Sequence, residues 1–172
     1  MKTLLLSIVS LFASHLASAQ LAPADDKAIR AVIAHWDSNL NNHHFQDMTT
    51  YTTKDVNWIA PAGDSFHGQQ QVVQRHQTIF DQIYKGVPLK SSNVTVRAIT
   101  PEVAVVNEEM AIGVSYPPDG VNRGTNKVDP WRAMSLMVLV KNGGHWQITS
   151  AAITPINEKI IKQSQAMVSA KK

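Results

Sequence analysis

From residue 25 onward the apolar positions follow first a helical and then a strand-like rhythm. Ile29, Val32, Ile33, Trp36 and Leu40 recur at helical spacing, which predicts an amphipathic helix over 25–41. Asp25 and Asp26, just after Pro23, sit where a helix start favours negative charge. A second, short helix over 44–52 buries Phe45, Met48 and Tyr51. Val56 to Ala60 reads as a short strand stopped by Pro61-Ala62-Gly63. Gly68 precedes a third helix, to about residue 84, whose apolar face is Val72, Val73, Ile79, Phe80 and Ile83. After Gly86 the pattern is sheet, with strands at 89–99, 103–116, 131–141 and 145–154. Asn142-Gly143-Gly144 is a hairpin signal between the last two.

Helices grouped early and strands grouped late argue an α+β domain rather than alternating α/β. The run Leu136 to Val140 shows no polar alternation, so both faces of that strand are expected to be covered. Helices cover one face, and a second copy of the chain, a homodimer through the sheet face, is the simple cover for the other. Residues 157–172 form either a short helix through Ile160, Ile161 and Val168 or a frayed basic tail.

The first residues change the picture of where the protein works. Met1-Lys2-Thr3 carries one positive charge, Leu4 to Leu16 is mostly apolar, and Ala17-Ser18-Ala19 supplies small residues for cleavage. Residues 1–19 therefore read as a signal peptide, with residues 20–156 the domain and a secreted or periplasmic location expected. The apolar stretch falls short of the ~20 residues a membrane span needs, so no membrane attachment is expected after cleavage. The chain has no cysteine, which excludes disulfides, thiolate metal sites and a cysteine nucleophile. Its formal charge of +3 is scattered rather than gathered in a stripe, so nucleic acid is not an expected partner.

Several segments in this order resemble the nuclear-transport-factor-2-like superfamily, in its SnoaL-like and ketosteroid-isomerase-like branch. They are Ala28-Ile29 with Trp36, Trp58 to Gly63, Phe66-His67-Gly68, Val138 to Ile148, and Thr154-Pro155-Ile156. The resemblance implies a cystatin-like cone, a curved antiparallel sheet wrapped around about three N-terminal helices, with a cavity that takes a small molecule. It does not imply one reaction, because the fold hosts enzymes and non-catalytic binders alike. Ketosteroid isomerases place a carboxylate base where this chain has Ala60, a tyrosine at Trp36 and a protonated acid at Leu136. Ala60 and Leu136 can do neither job, so the resemblance does not carry steroid isomerisation by that route. It also brings His76 and Tyr51 to pocket positions.

With Leu136 turned inward, alternation turns Arg132, Met134 and Val138 inward, along with Asn107, Glu109, Thr149, Ala151 and Ile153; a bulge would exchange Glu109 for Glu108. A binding protein would then use Trp36, Tyr51, Trp58 and Met134 as apolar wall, with Asn107 beside them and Arg132 recognising a carboxylate or other oxygen. An enzyme would use Glu109 and His76 as base and acid, without a cofactor, in an isomerisation, dehydration or hydrolysis. The bland alternatives are that Glu109 pairs with Arg132 and that His76 lies on the surface. An interaction module, whose sheet face docks another protein, needs neither residue. His35, His43 and His44 lack the spaced acids of a metal site, and none is expected. Asn93-Val94-Thr95 matches a glycosylation sequon.

Overall fold

A computed structural model describes residues 21–169; the expected signal peptide lies outside the described residues. Helix α1 (Pro23–Asn42) starts with proline in its first turn, where a missing N–H costs nothing, and ends on His43 with φ 54°. It is tied to the far end of the sheet by Asp25, which accepts from Trp146 Nε1 at 2.8 Å and pairs with Lys141 at 2.7 Å. A 3₁₀ turn (Phe45–Asp47) leads into α2 (Met48–Tyr51), and β1 (Thr52–Ile59) follows at once. A short strand that the pattern did not predict, β2 (Ser65–His67), folds back on β1 before α3 (Gln69–Gln82).

The predicted four-strand meander is present as β3 (Leu89–Thr100), β4 (Val103–Ile112), β5 (Trp131–Asn142) and β6 (His145–Pro155). The sheet runs β2-β1-β6-β5-β4-β3, curved and unclosed. Its pairs are antiparallel except β1 with β6, which run parallel. β4 ends at Ile112, short of the expected 116. There Gly113 lies so close to Pro88 that a Cβ would come within 2.8 Å of its ring, and the Gly113 N–H bonds Pro88 O at 3.0 Å. The backbone turns away and returns through a single bridge, Ser115 to Val128. Gly143 and Gly144, at φ 56° and 83°, close the β5–β6 hairpin with Asn142 opposite His145.

The core lies between the helices and the inner face of the sheet. Ile29, Ile33, Trp36 and Leu40 of α1 and Val72, His76 and Phe80 of α3 pack there. The sheet contributes Val106 and Met110 from β4, Ala133, Met137 and Leu139 from β5, and Ile148, Ala151 and Ile153 from β6. Residues 158–169 form the helical alternative of the tail: α4 (Glu158–Ser169), exposed along its length. No described helix is long and apolar enough to cross a membrane.

The side-chain parity of β4 and β5 is the reverse of the expected one. On β5, Ala133, Ser135, Met137 and Leu139 face the helices, while Met134 and Leu136 stand 39% and 46% exposed on the outer face. On β4, Glu108 points in and Asn107 and Glu109 point out. No bulge interrupts the β4–β5 register, which runs without a shift from Val103–Val140 to Ile112–Trp131. A bulge does occur on β6 at Thr149, since Val138 pairs with Ser150 and Leu139 with Ile148. Thr149 is therefore not one of the inward residues, whereas Ala151 and Ile153 are.

Candidate functional site

The open end of the curved sheet holds a cavity of about 70 Å³. Its deep wall is fully or nearly buried: Trp36 and Leu40 from α1, Trp58 from β1, Phe66 from β2, His76 and Phe80 from α3. Met110, Ile112 and Ile153 close it from the sheet. The mouth is formed by half-exposed residues: Ala60 and Pro61 after β1, Ile79 and Tyr84 around the end of α3, and Leu89 and Trp131 at the starts of β3 and β5. Local structure accounts for the arrangement. The Pro61-Ala62-Gly63 turn stops β1 and lets β2 bring Phe66 over the cavity, while a one-turn spacing places Val72, His76 and Phe80 on one stripe of α3.

His76 is the polar group in the deep wall. Aromatic rings surround it: Trp36 and Trp58 meet it edge-on at 5.4 and 4.9 Å between ring centres, with Phe45 at 5.5 Å and Phe66 at 6.2 Å. Its Nδ1 lies 2.7 Å from the carbonyl of Val72. A carbonyl oxygen only accepts, so Nδ1 carries the proton, and in a neutral ring Nε2 is left with a lone pair. Burial drives the imidazole pKa down to about 4, against a smaller upward pull from the Val72 carbonyl, so the ring is neutral at pH 7. Trp36 carries the second unusual atom: its indole Nε1–H is buried without a hydrogen-bond acceptor.

The expected site residues divide between two places. Trp36, Trp58 and His76 line the cavity together, with Ala60 at its mouth. Tyr51 does not reach it. The Tyr51 hydroxyl accepts from Asn39 at 2.9 Å and its ring packs on His35, with ring centres 4.8 Å apart. Asn107, Glu109, Arg132 and Met134 are on the outer face and line no part of the cavity, so Glu109 and His76 cannot act across one space. Glu109 is held by Arg132 and by Asn93, whose Nδ2 donates to it at 3.2 Å. Those bonds keep its carboxyl below the usual range. Arg132 is engaged twice, by Glu109 and by Glu158 of α4 at 2.6 Å, which leaves it poorly placed to recognise a ligand carboxylate. Met134 sits beside it in a shallow cleft under α4. Among the described residues, no group of three or more His, Asp or Glu comes together as a metal site.

Glu108, the alternative to Glu109, is fully buried, but behind the cavity rather than in it. It faces Asp37 of α1. Ser135 donates to its Oε2 at 3.3 Å, Ser91 donates to Asp37 at 2.6 Å, and Glu108 Oε1 has no protein donor. Burial, and then the Asp37 charge, push the Glu108 pKa up to about 8. A proton kept on Glu108 makes it a donor to Asp37 and removes the conflict.

The sequence reading missed Phe66, Phe80, Met110, Ile112 and Trp131 as cavity wall, whereas Ile153 was expected to face inward and does. One available signal was the Val72, His76, Phe80 stripe, which puts His76 on the buried side of α3 by spacing alone.

The SnoaL-like domain family matches residues 29–155, and the chain belongs to that family. No curated protein matches it. Among solved structures it is similar to a protein of cystatin-like fold from Caulobacter vibrioides, at 18% identity and TM-score 0.74, covering 83% of this chain and 96% of that one. It is also similar to a hexachlorocyclohexane dehydrochlorinase of type 2, at 10% identity and TM-score 0.65, covering 78% and 90%. A ketosteroid isomerase-like protein from Erwinia carotovora atroseptica follows at 17% and 0.63, covering 79% and 99%. At these identities the likeness is one of fold.

Proposed function

We propose that this SnoaL-like protein binds a small, mostly apolar organic molecule in the cavity between α1, α3 and the sheet. The observation that carries the reading is the wall itself: aromatic and aliphatic side chains enclosing one neutral histidine. That combination fits a site where apolar contact supplies affinity and a few polar atoms set orientation. The cavity is smaller than the ~150 Å³ that accommodates benzene in a closed protein interior. A ring-sized ligand therefore puts a small group at the deep end and the rest in the mouth, against Tyr84 and Trp131.

Catalysis by a Glu109–His76 pair has no geometric support, because the sheet stands between the two residues. The cavity's titratable groups are His76 and Tyr84, the latter with its pKa raised by burial. The test is a titration of tryptophan fluorescence with toluene and indole. Saturable quenching in the natural protein, lost in Ala60→Trp with the fold retained, supports the reading. Quenching that persists unchanged in Ala60→Trp rejects it.

A second reading concerns the outer face. Met134 and Leu136 of β5 are exposed there, with Ile99 exposed two strands away on β3, which suits pairing of two copies sheet to sheet. Sedimentation should give a dimer that Leu136→Asp converts to monomer; a monomer at every concentration rules the pairing out. Export with cleavage before Gln20 is proposed on the leader pattern alone. The intact mass of protein recovered from outside the cytoplasm tests it.

A further inference from the structure

Among the described residues, none covers the apolar side of α4. The helix begins soundly. The Ile156 N–H bonds Arg132 O at 2.8 Å, Asn157 Oδ1 accepts from the Ile160 N–H at 3.1 Å as an N-cap, and Glu158 pairs with Arg132 at 2.6 Å. Beyond this anchor no residue of α4 is buried. Ile160, Ile161, Met167 and Val168 fall on one side of the helix by their spacing and are 59%, 42%, 64% and 65% exposed. Glu158, Lys159 and Lys162 fall on the other side. A free helix of this length is marginal in water, so α4 needs a surface to lie on. An apolar surface adjoins it. Ile160 and Ile161 share a cleft with Met134 of the outer sheet face. Leu136 and Val138 continue that face along β5, with Ala152 beside Leu136 and Val105 beside Val138. Arg132, Glu109 and Glu158 answer one another, so no lone charge among them asks for a charged partner.

We infer that two copies of this chain pair by exchanging α4, the apolar side of each helix lying on the outer sheet face of the other copy. The inference rests on the sheet-face pairing read above and adds the element that completes it. Area is the first argument. Met134 and Leu136 alone leave on the order of 150 Å² open, far below the ~600 Å² a side that even a small specific interface buries. Ile160, Ile161, Met167 and Val168 bring the open apolar surface of one copy to roughly that value. The second argument is shape. A projecting helix and a flat sheet stand side by side on one chain, so a two-fold axis sets helix on sheet twice with the same residues. Lys159 and Lys162, on the far side of the helix, stay in water when its apolar side is covered.

The test compares dimer strength by sedimentation in the mature chain, in Leu136→Asp and in the double variant Met167→Gln with Val168→Gln. Glutamine keeps helix propensity while removing the apolar contact, and both positions are exposed in the single chain, so the variant folds as the natural protein does. It is expected to raise the dimer dissociation constant at least roughly tenfold. The chain has no cysteine, which permits a direct second measurement. Leu136→Cys and isotope-labelled Val168→Cys, prepared separately and mixed under mild oxidation, should give a covalent heterodimer recognised by its mass. A dimer broken by Leu136→Asp but unmoved by the glutamine pair overturns the exchange and leaves the sheet-face pairing standing. So does a dimer of natural strength that yields no 136-to-168 cross-link. A natural chain that stays monomeric at every concentration overturns both readings, and its binding to vesicles of anionic lipid would then assign α4 to a membrane surface.

Discussion

Glu108 and Glu109 are neighbours on β4 with the same side chain, yet they meet opposite surroundings. Glu109, on the outer face, has Arg132 and Asn93 for partners, and its carboxyl is held down. Glu108, on the inner face, has Asp37 and two serines, and its carboxyl is pushed up to about 8. Leu136 and Met137 repeat the contrast on β5: one is 46% exposed, the other fully buried. A strand alternates its side chains, so one step along the chain exchanges solvent for core. Adjacent residues on this sheet therefore say little about each other.

The contrast is sharpest in packing. Met137→Ala should destabilise the fold by about 3 kcal/mol in urea denaturation, the usual cost of emptying a buried site of that size. Leu136→Ala, measured where the chain is monomeric, should change stability by about 0.5 kcal/mol or less. Equal effects would mean that the two faces are not distinguished as described.

The acids give the next largest effect, with a sign that can be worked out. Unfolded, Glu108 loses its proton near 4.5; folded, it keeps it up to about 8. The unfolded state thus binds fewer protons between these values, and stability falls as pH rises across that window. In Glu108→Gln that decline should be reduced by roughly 3 kcal/mol between pH 5 and 8, since glutamine mimics the protonated acid. An unchanged pH slope would remove the Asp37–Glu108 pair from the account.

His76 runs the other way. Its folded pKa of about 4 lies below the ordinary 6.5, so its contribution is present above pH 6.5 and is lost as pH falls through 4. His76→Phe should lessen acid destabilisation by roughly 2 kcal/mol over that range, read from denaturation curves at pH 7 and pH 4. Both buried groups are neutral at pH 7, the acid by keeping a proton and the imidazole by shedding one. The smallest effect belongs to the outer pair. Glu109→Gln should leave the melting temperature unchanged within error, because an exposed ion pair contributes little. A large loss there would show that the outer face is covered.

Much of the fold was legible in the chain, for reasons particular segments make plain. The helical spacing of Ile29, Ile33, Trp36 and Leu40 survives intact as the buried stripe of α1. Asn142-Gly143-Gly144 forms the turn its φ angles require. Trp36, Trp58 and His76 were brought forward as site residues, and the structure gathers them around one cavity. β2 was not legible, because three residues carry no period. The parity of β5 was not legible either: Leu136 to Val140 is apolar at every position, so the alternation that normally marks the inner face is missing.

Composition, spacing and turn chemistry by themselves determined an α+β chain without cysteine, with its helices, its meander and its family likeness. Those are local properties, set by how neighbouring residues bend the backbone and which stripe they expose. The tertiary structure alone decided which of two adjacent glutamates is buried, that Arg132 is spent on Glu109 and Glu158, and that Trp36, Trp58 and His76 pack ring to ring in one cavity wall. Register and burial arise between segments distant in the chain, where pairing across the sheet overrides what any single stretch prefers.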